Sequence, residues 1–179
     1  MKPSARVFAR LTPLTAFILF VVLPPAQVVV AQQTDQDQQS GDTVCTFDDG
    51  RQISARFSPV AVDRSESPPI GRVWIPGGSA VTLFTDTEVT VGNTPIPTGA
   101  YTIYLIPGKR DWALVVSKNV TLGSKYNEQQ DLVRAAMETG TLSRAEAQLK
   151  IFFGHTGPKQ CELNVDYGKI RAWVEFREK

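Results

Sequence analysis

Residues 99–119 read GAYTIYLIPGKRDWALVVSKN. Ala100 to Ile106 and Trp112 to Ser117 are runs of β-branched and aromatic residues around the polar Gly108-Lys109-Arg110, which predicts a β-hairpin. In the first run Tyr101, Ile103 and Leu105 alternate with Thr102, Tyr104 and Ile106, and both sets are largely apolar. A strand apolar on both faces belongs in the middle of a fold, covered on each side. The charges at the tip are what a solvated turn needs, so this stretch specifies architecture before it specifies chemistry.

The same pattern repeats on both sides of the hairpin. Strands are predicted at Arg72 to Ile75, Ala80 to Thr85 and Glu88 to Val91, separated by Gly77-Gly78, Asp86-Thr87 and Gly92-Asn93. Further upstream, TVCTF and QISARF flank Asp48-Asp49-Gly50-Arg51, and an Asp-Gly pair between alternating runs predicts a tight turn. The Pro/Ser-rich residues 58–71 read as a loop along a sheet edge. Downstream, CELNVDY places Cys161, Leu163, Val165 and Tyr167 on a buried face and Glu162, Asn164 and Asp166 on a wet one. IRAWVEF repeats this with Ile170, Ala172, Val174 and Phe176 inside, beyond a turn at Gly168-Lys169. Leu149, Ile151 and Phe153 form another inward set. Residues 127–140 carry two readings, because good helix formers with Leu132, Val133, Ala136 and Met137 near helical spacing favour a helix on propensity alone. The fold predicted for residues 43–179 is an all-β, single antiparallel β-sandwich, jelly-roll-like, of about nine to ten strands with at most one short helix.

Residues 1–31 read as a signal peptide. Lys2, Arg6 and Arg10 form a basic start, Leu14 to Leu23 an apolar stretch, and Val29-Val30-Ala31 the small residues a signal peptidase requires, so cleavage is expected between Ala31 and Gln32. The other reading is a retained membrane anchor, opposed by Pro24-Pro25 and by the lack of a following basic cluster. Residues 32–42, QQTDQDQQSGD, hold no apolar side chain and are expected to be a disordered polar tether. The expected localisation is secreted or periplasmic, with no membrane span after cleavage. With 19 basic and 18 acidic residues the chain offers no electrostatic case for a nucleic-acid partner. The two cysteines, Cys45 and Cys161, are expected to form one disulfide in an oxidising compartment, the alternative being two buried thiols.

Catalytic constellations are sparse. The single histidine, His155, lies in the turn-like GHTGPK, and no G-x-S-x-G surrounds a serine. No metal set is expected from one histidine, and no cofactor from turns that lack a following helix. Asp48, Asp49, Asp86, Glu88, Asp111 and Asp166 could pair as hydrolytic carboxylates, although turns and wet faces account for most of them. Trp173 shares an outward set with Arg171 and Glu175, where an indole could stack on a sugar. Trp173, Arg171 and His155 are therefore the binding candidates.

The run from Gly71 to Asn119 resembles a bacterial secreted family, the domain of unknown function 2911. The resemblance rests on Arg72-Val73-Trp74, Gly77 to Thr82, Pro97-Thr98-Gly99-Ala100-Tyr101, Ile106-Pro107-Gly108 and Trp112 to Lys118, in that order. Tyr126, Asp131-Leu132-Val133-Arg134 and the closing LNVDYGKIRAWVEF extend it to Phe176. It implies that Leu132 to Met137 is a strand rather than a helix. It also implies a polar string after Trp74 in which Arg, Asn and Glu stand where this chain has Ile75, Ser79 and Ala80. The family carries no established activity to transfer. The expected function is a non-catalytic envelope or periplasmic module for a small ligand, glycan or protein partner, and the alternative is an envelope hydrolase using carboxylates or His155.

Overall fold

The computed structural model describes residues 40–63 and 67–179. The expected signal segment, the expected Ala31-Gln32 cleavage point and all but the end of the expected tether lie outside the described residues. Strand formation begins at Gly41, two residues earlier than expected, because Asp42 pairs with Arg56 across the first hairpin at 2.8 Å. The eleven strands are β1 (Gly41–Thr46), β2 (Gln52–Phe57), β3 (Val81–Thr85), β4 (Val89–Val91), β5 (Thr94–Ile96) and β6 (Gly99–Ile106), then β7 (Trp112–Ser117), β8 (Asp131–Thr141), β9 (Lys150–Gly157), β10 (Gln160–Tyr167) and β11 (Ile170–Glu178). The only helical elements among the described residues are the 3-10 turns Pro76–Gly78 and Glu128–Gln130. No described helix is long and apolar enough to cross a membrane.

Nine of the strands form one path, β1-β2-β3-β6-β7-β8-β11-β10-β9, in which every neighbouring pair is antiparallel. The two layers of the expected sandwich are therefore one sheet. β8 makes the corner, since its residues 131–137 pair with β7 and 138–141 pair with β11. β4 and β5 form a hairpin on the far end of β11. The path curls until β1 lies beside β9, giving a nearly closed barrel. Directions alternate along nine strands, so the two that meet at this seam run parallel, and no ladder joins them among the described residues. The Phe153 amide donates to Thr43 Oγ1 across the seam at 2.9 Å. The Cys45–Cys161 disulfide fastens it from inside, with both residues buried.

The 99–119 hairpin becomes β6 and β7 at the centre of the first layer, with Leu105 opposite Leu114 and Ile103 opposite Val116. Tyr101, Ile103 and Leu105 face the core. Thr102 and Tyr104, on the other face, are also buried. The first turn follows its Asp-Gly signal: Gly50 has φ +88°, and Asp49 accepts from the Arg51 amide at 3.0 Å. Residues 131–137 are extended, as the family resemblance implies, with Val133, Ala135 and Met137 buried between exposed Arg134, Ala136 and Glu138. The period-two set buries three apolar side chains against the barrel interior, a gain that outweighs a few tenths of a kcal/mol per residue of helix preference.

Two expectations are corrected. The strand proposed at Arg72 to Ile75 is reduced to a single bridge, Trp74 to Leu105, because Pro76 supplies no amide and Gly78 turns at φ +73°. The wet face of β10 is not wet at Asn164 and Asp166, which are 5% and 1% exposed. Phe152 and Trp173 flank Asn164 in register, and Arg171 closes over Asp166.

Candidate functional site

Of the residues singled out in the sequence, Arg171 and Trp173 lie two apart on the outer face of β11. The Arg171 guanidinium donates to both carboxylate oxygens of Asp166, at 2.7 and 2.6 Å, and lies 5.2 Å from the centre of the Phe152 ring. The bond to Asp166 raises the Arg171 pKa further above its ordinary value, with burial opposing it. Arg171 is therefore engaged within the protein. The Trp173 ring lies against Gly140, where an added Cβ would stand 3.2 Å from the indole. His155 is not with them. It pairs with Cys161, five residues along β9 from the Lys150 that faces Asp166, which is roughly 16 Å of strand. Its Nε2 stands 3.5 Å from Asp48 Oδ1, and both side chains are exposed. One solvated carboxylate beside one histidine gives hydrolysis neither a nucleophile nor a second acid. No group of three or more His, Cys, Asp or Glu side chains placed to hold a metal ion occurs among the described residues.

A different constellation forms over the outer face of β6. Its floor is Thr102 and Tyr104, its walls are residues 75–80 and 121–124, and behind it stand Tyr126, Asp131 and Arg134. Each part has a local cause. The segment from Trp74 to Val81 returns to pair with β6 at both ends, and the 3-10 turn between bows outward as one wall. The other wall is tied down at Asn119, whose carbonyl accepts from Thr102 Oγ1 at 2.6 Å and whose Nδ2 donates to Ser124 Oγ at 3.0 Å.

The rear cluster depends on a bulge. Val116 pairs with Val133 but Ser117 pairs with Asp131, so Leu132 is extra and Asp131 comes to share a face with Arg134, three residues on. Arg134 Nε then donates to Asp131 Oδ2 at 2.8 Å, and the Tyr126 hydroxyl donates to the same oxygen at 2.6 Å. Arg134 Nη2 also lies 2.9 Å from Glu128. This knot holds the Tyr126 ring edge-on to Tyr104, with centroids 5.0 Å apart.

Two polar groups are left over. Asp131 Oδ1 is buried without a partner. Tyr104 is 2% exposed, and its hydroxyl makes no hydrogen bond among the described residues. Burial, and then the Asp131 charge, raise the Tyr104 pKa above its ordinary value of 10.0. Burial is also the first cause at Tyr126, followed by its bond to Asp131. Both phenols are thus held protonated as donors.

Tyr104 lines an inner cavity of about 120 Å³ together with Ile75, Ala80, Thr102, Thr121 and Ser124. An outer cavity of about 360 Å³, shared with the inner one at Gly78, Ala80 and Gly123, extends past Ser79 and Thr82 to Arg56 and Leu122. A volume of that size is typical of small-molecule sites. No histidine or carboxylate lines either cavity. The arrangement offers hydrogen-bond donors and acceptors without an acid-base pair, which suits binding rather than proton transfer.

Pattern reading of the chain did not assemble this cleft. The family resemblance, rather than the pattern, singled out Ile75, Ser79 and Ala80, and all three line its walls. Tyr104 was visible as an outward apolar residue, but nothing local to the sequence signals its missing hydroxyl partner. No curated protein and no solved structure matches the chain. The profile of one family, described as "Protein of unknown function (DUF2911)", matches residues 49–176, more than two thirds of the chain, and the chain belongs to that family.

Proposed function

We propose that the protein is an exported, non-catalytic envelope module that binds a small ligand in the cleft over β6. The observation that carries this reading is Tyr104, whose ring is buried and whose hydroxyl, without a protein partner among the described residues, faces the floor of a cavity. The ring is buried while the hydroxyl opens on the cavity, where a ligand oxygen could take the place of solvent as its partner. The positions where the family resemblance expects Arg, Asn and Glu fall on the walls of the same cleft.

Amide chemical shifts of isotope-labelled protein, followed across a panel of sugars, amino acids and short peptides, test the reading. A binder is expected to move Thr102, Tyr104 and residues 121–124, and Ala80→Phe, which fills the shared neck, is expected to abolish the shifts. Ligands that map elsewhere, or that bind Ala80→Phe unchanged, remove the proposal. Export is supported by the basic and apolar start of the chain and by a disulfide in its folded part. The intact mass of protein recovered from outside the cytoplasm is expected to correspond to a chain starting at Gln32. Recovery of the full chain from the cytoplasm would oppose export.

A further inference from the structure

We infer that the ligand of this cleft is a sugar acid, a polyhydroxylated ring bearing a carboxylate, lying across β2, β3 and β6 with its carboxylate at Arg56. The inference rests on the cleft reading above and adds the chemical class.

Register supplies the geometry. Arg56 pairs with Thr82, and Thr82 with Thr102, so the three stand side by side on one face of adjacent strands. Two interstrand spacings separate the first from the last, about 10 Å. Arg56 and Thr82 line the outer cavity and Thr102 the inner one, so this row runs along the cleft. A pyranose with an exocyclic carboxylate fits such a span once the side chains reach in from either end.

The lining supplies the chemistry. Arg56 is the one charged side chain in the lining among the described residues, which disfavours a cationic ligand and favours an anionic one. Its Nε donates to Asp42 at 2.8 Å, and neither terminal nitrogen makes a hydrogen bond among the described residues. The Arg56–Asp42 pair is exposed on both sides and weakly held, so the guanidinium edge is open to a second carboxylate. The remaining polar groups are hydroxyls, among them Ser79, Thr82 and Tyr104, which both donate and accept. A ring with several hydroxyl groups matches that composition, whereas a simple carboxylate would leave the floor unused.

The test titrates the mature, oxidised protein with D-glucuronate, D-glucose and acetate, reading the amides of Arg56, Thr82 and Thr102. Glucuronate is expected to bind about tenfold more tightly than glucose, the share of one charge-assisted hydrogen bond. Arg56→Gln is expected to bring glucuronate down to the affinity that the same variant has for glucose, while Asp42→Asn, which releases the guanidinium, is expected to widen the glucuronate advantage. Equal binding of glucose and glucuronate, or a preference that survives Arg56→Gln, overturns the sugar-acid assignment and leaves the cleft reading standing. Acetate binding as tightly as glucuronate overturns the sugar half. Silence of the cleft amides toward these probes and toward the wider panel overturns both. Arg56 and Asp42 are surface residues, so each variant at most frays the first residues of β1, which the amides of β2 and β3 report separately from binding.

Discussion

Replacing Cys45 and Cys161 together by alanine is expected to lower the unfolding free energy by about 4 to 5 kcal/mol, read as a fall in the denaturant midpoint. The crosslink closes a loop of 116 residues, and the entropy it removes from the unfolded chain grows with the logarithm of that length. Its position gives it a second role. An antiparallel path of nine strands returns to its start with two strands running the same way, and here β1 and β9 meet without a ladder. The seam rests on the disulfide, on the Phe153 amide bound to Thr43, on the Asp48 amide that donates to the Pro158 carbonyl at 3.0 Å, and on side-chain packing. Hydrogen exchange separates the two roles. Loss of chain entropy alone lowers equally the protection of the amides that exchange by global unfolding, whereas an opened seam exposes the Phe153 amide well before β6 and β7. An unfolding free energy unchanged within about 1 kcal/mol would overturn both roles, and protection of the Phe153 amide equal to that of β6 and β7 would show that packing closes the barrel unaided.

How far the sequence discloses this molecule depends on whether a feature is local. The β6–β7 hairpin, the Asp-Gly turn and the alternation of β10 and β11 follow from residues close in the chain, and pattern reading finds them. Residues 131–137 show where propensity fails: Ala135, Ala136 and Met137 favour a helix, but tertiary burial of Val133, Ala135 and Met137 selects the strand. The bulge at Leu132 leaves no local mark, because it is defined by the partner strand, and Asp131 and Arg134 meet only through it. The cleft is less legible still, since its floor and walls come from β6 and from two loops far apart in sequence. On β10, alternation correctly separates two faces. It cannot say that the outer one is covered, because Phe152, Arg171 and Trp173 belong to neighbouring strands.

That cover leads to an asymmetric prediction for the Arg171–Asp166 pair. Arg171→Met is expected to cost about 3 kcal/mol, the low end for breaking a buried ion pair, because it strands a carboxylate whose side chain is 2% exposed. Asp166→Asn is expected to cost about 1 kcal/mol, since the stranded partner is a guanidinium 38% exposed, able to reach water and still lying over Phe152. Geometry sets the difference: Arg171→Met takes both hydrogen bonds from a carboxylate that water does not reach, whereas Asp166→Asn keeps an amide oxygen that still accepts from the guanidinium and leaves the rest of the cation to solvent. Urea denaturation of the two single variants and of the double variant measures it. The double variant is expected to recover part of the Arg171→Met loss, because the methionine then faces a neutral amide. Equal costs from the two single variants would mean that water reaches Asp166 and that burial does not govern the pair. An Arg171→Met loss near 3 kcal/mol would identify Arg171 as a residue committed to holding the second layer together, and would leave Trp173 without a cationic neighbour free to meet a ligand.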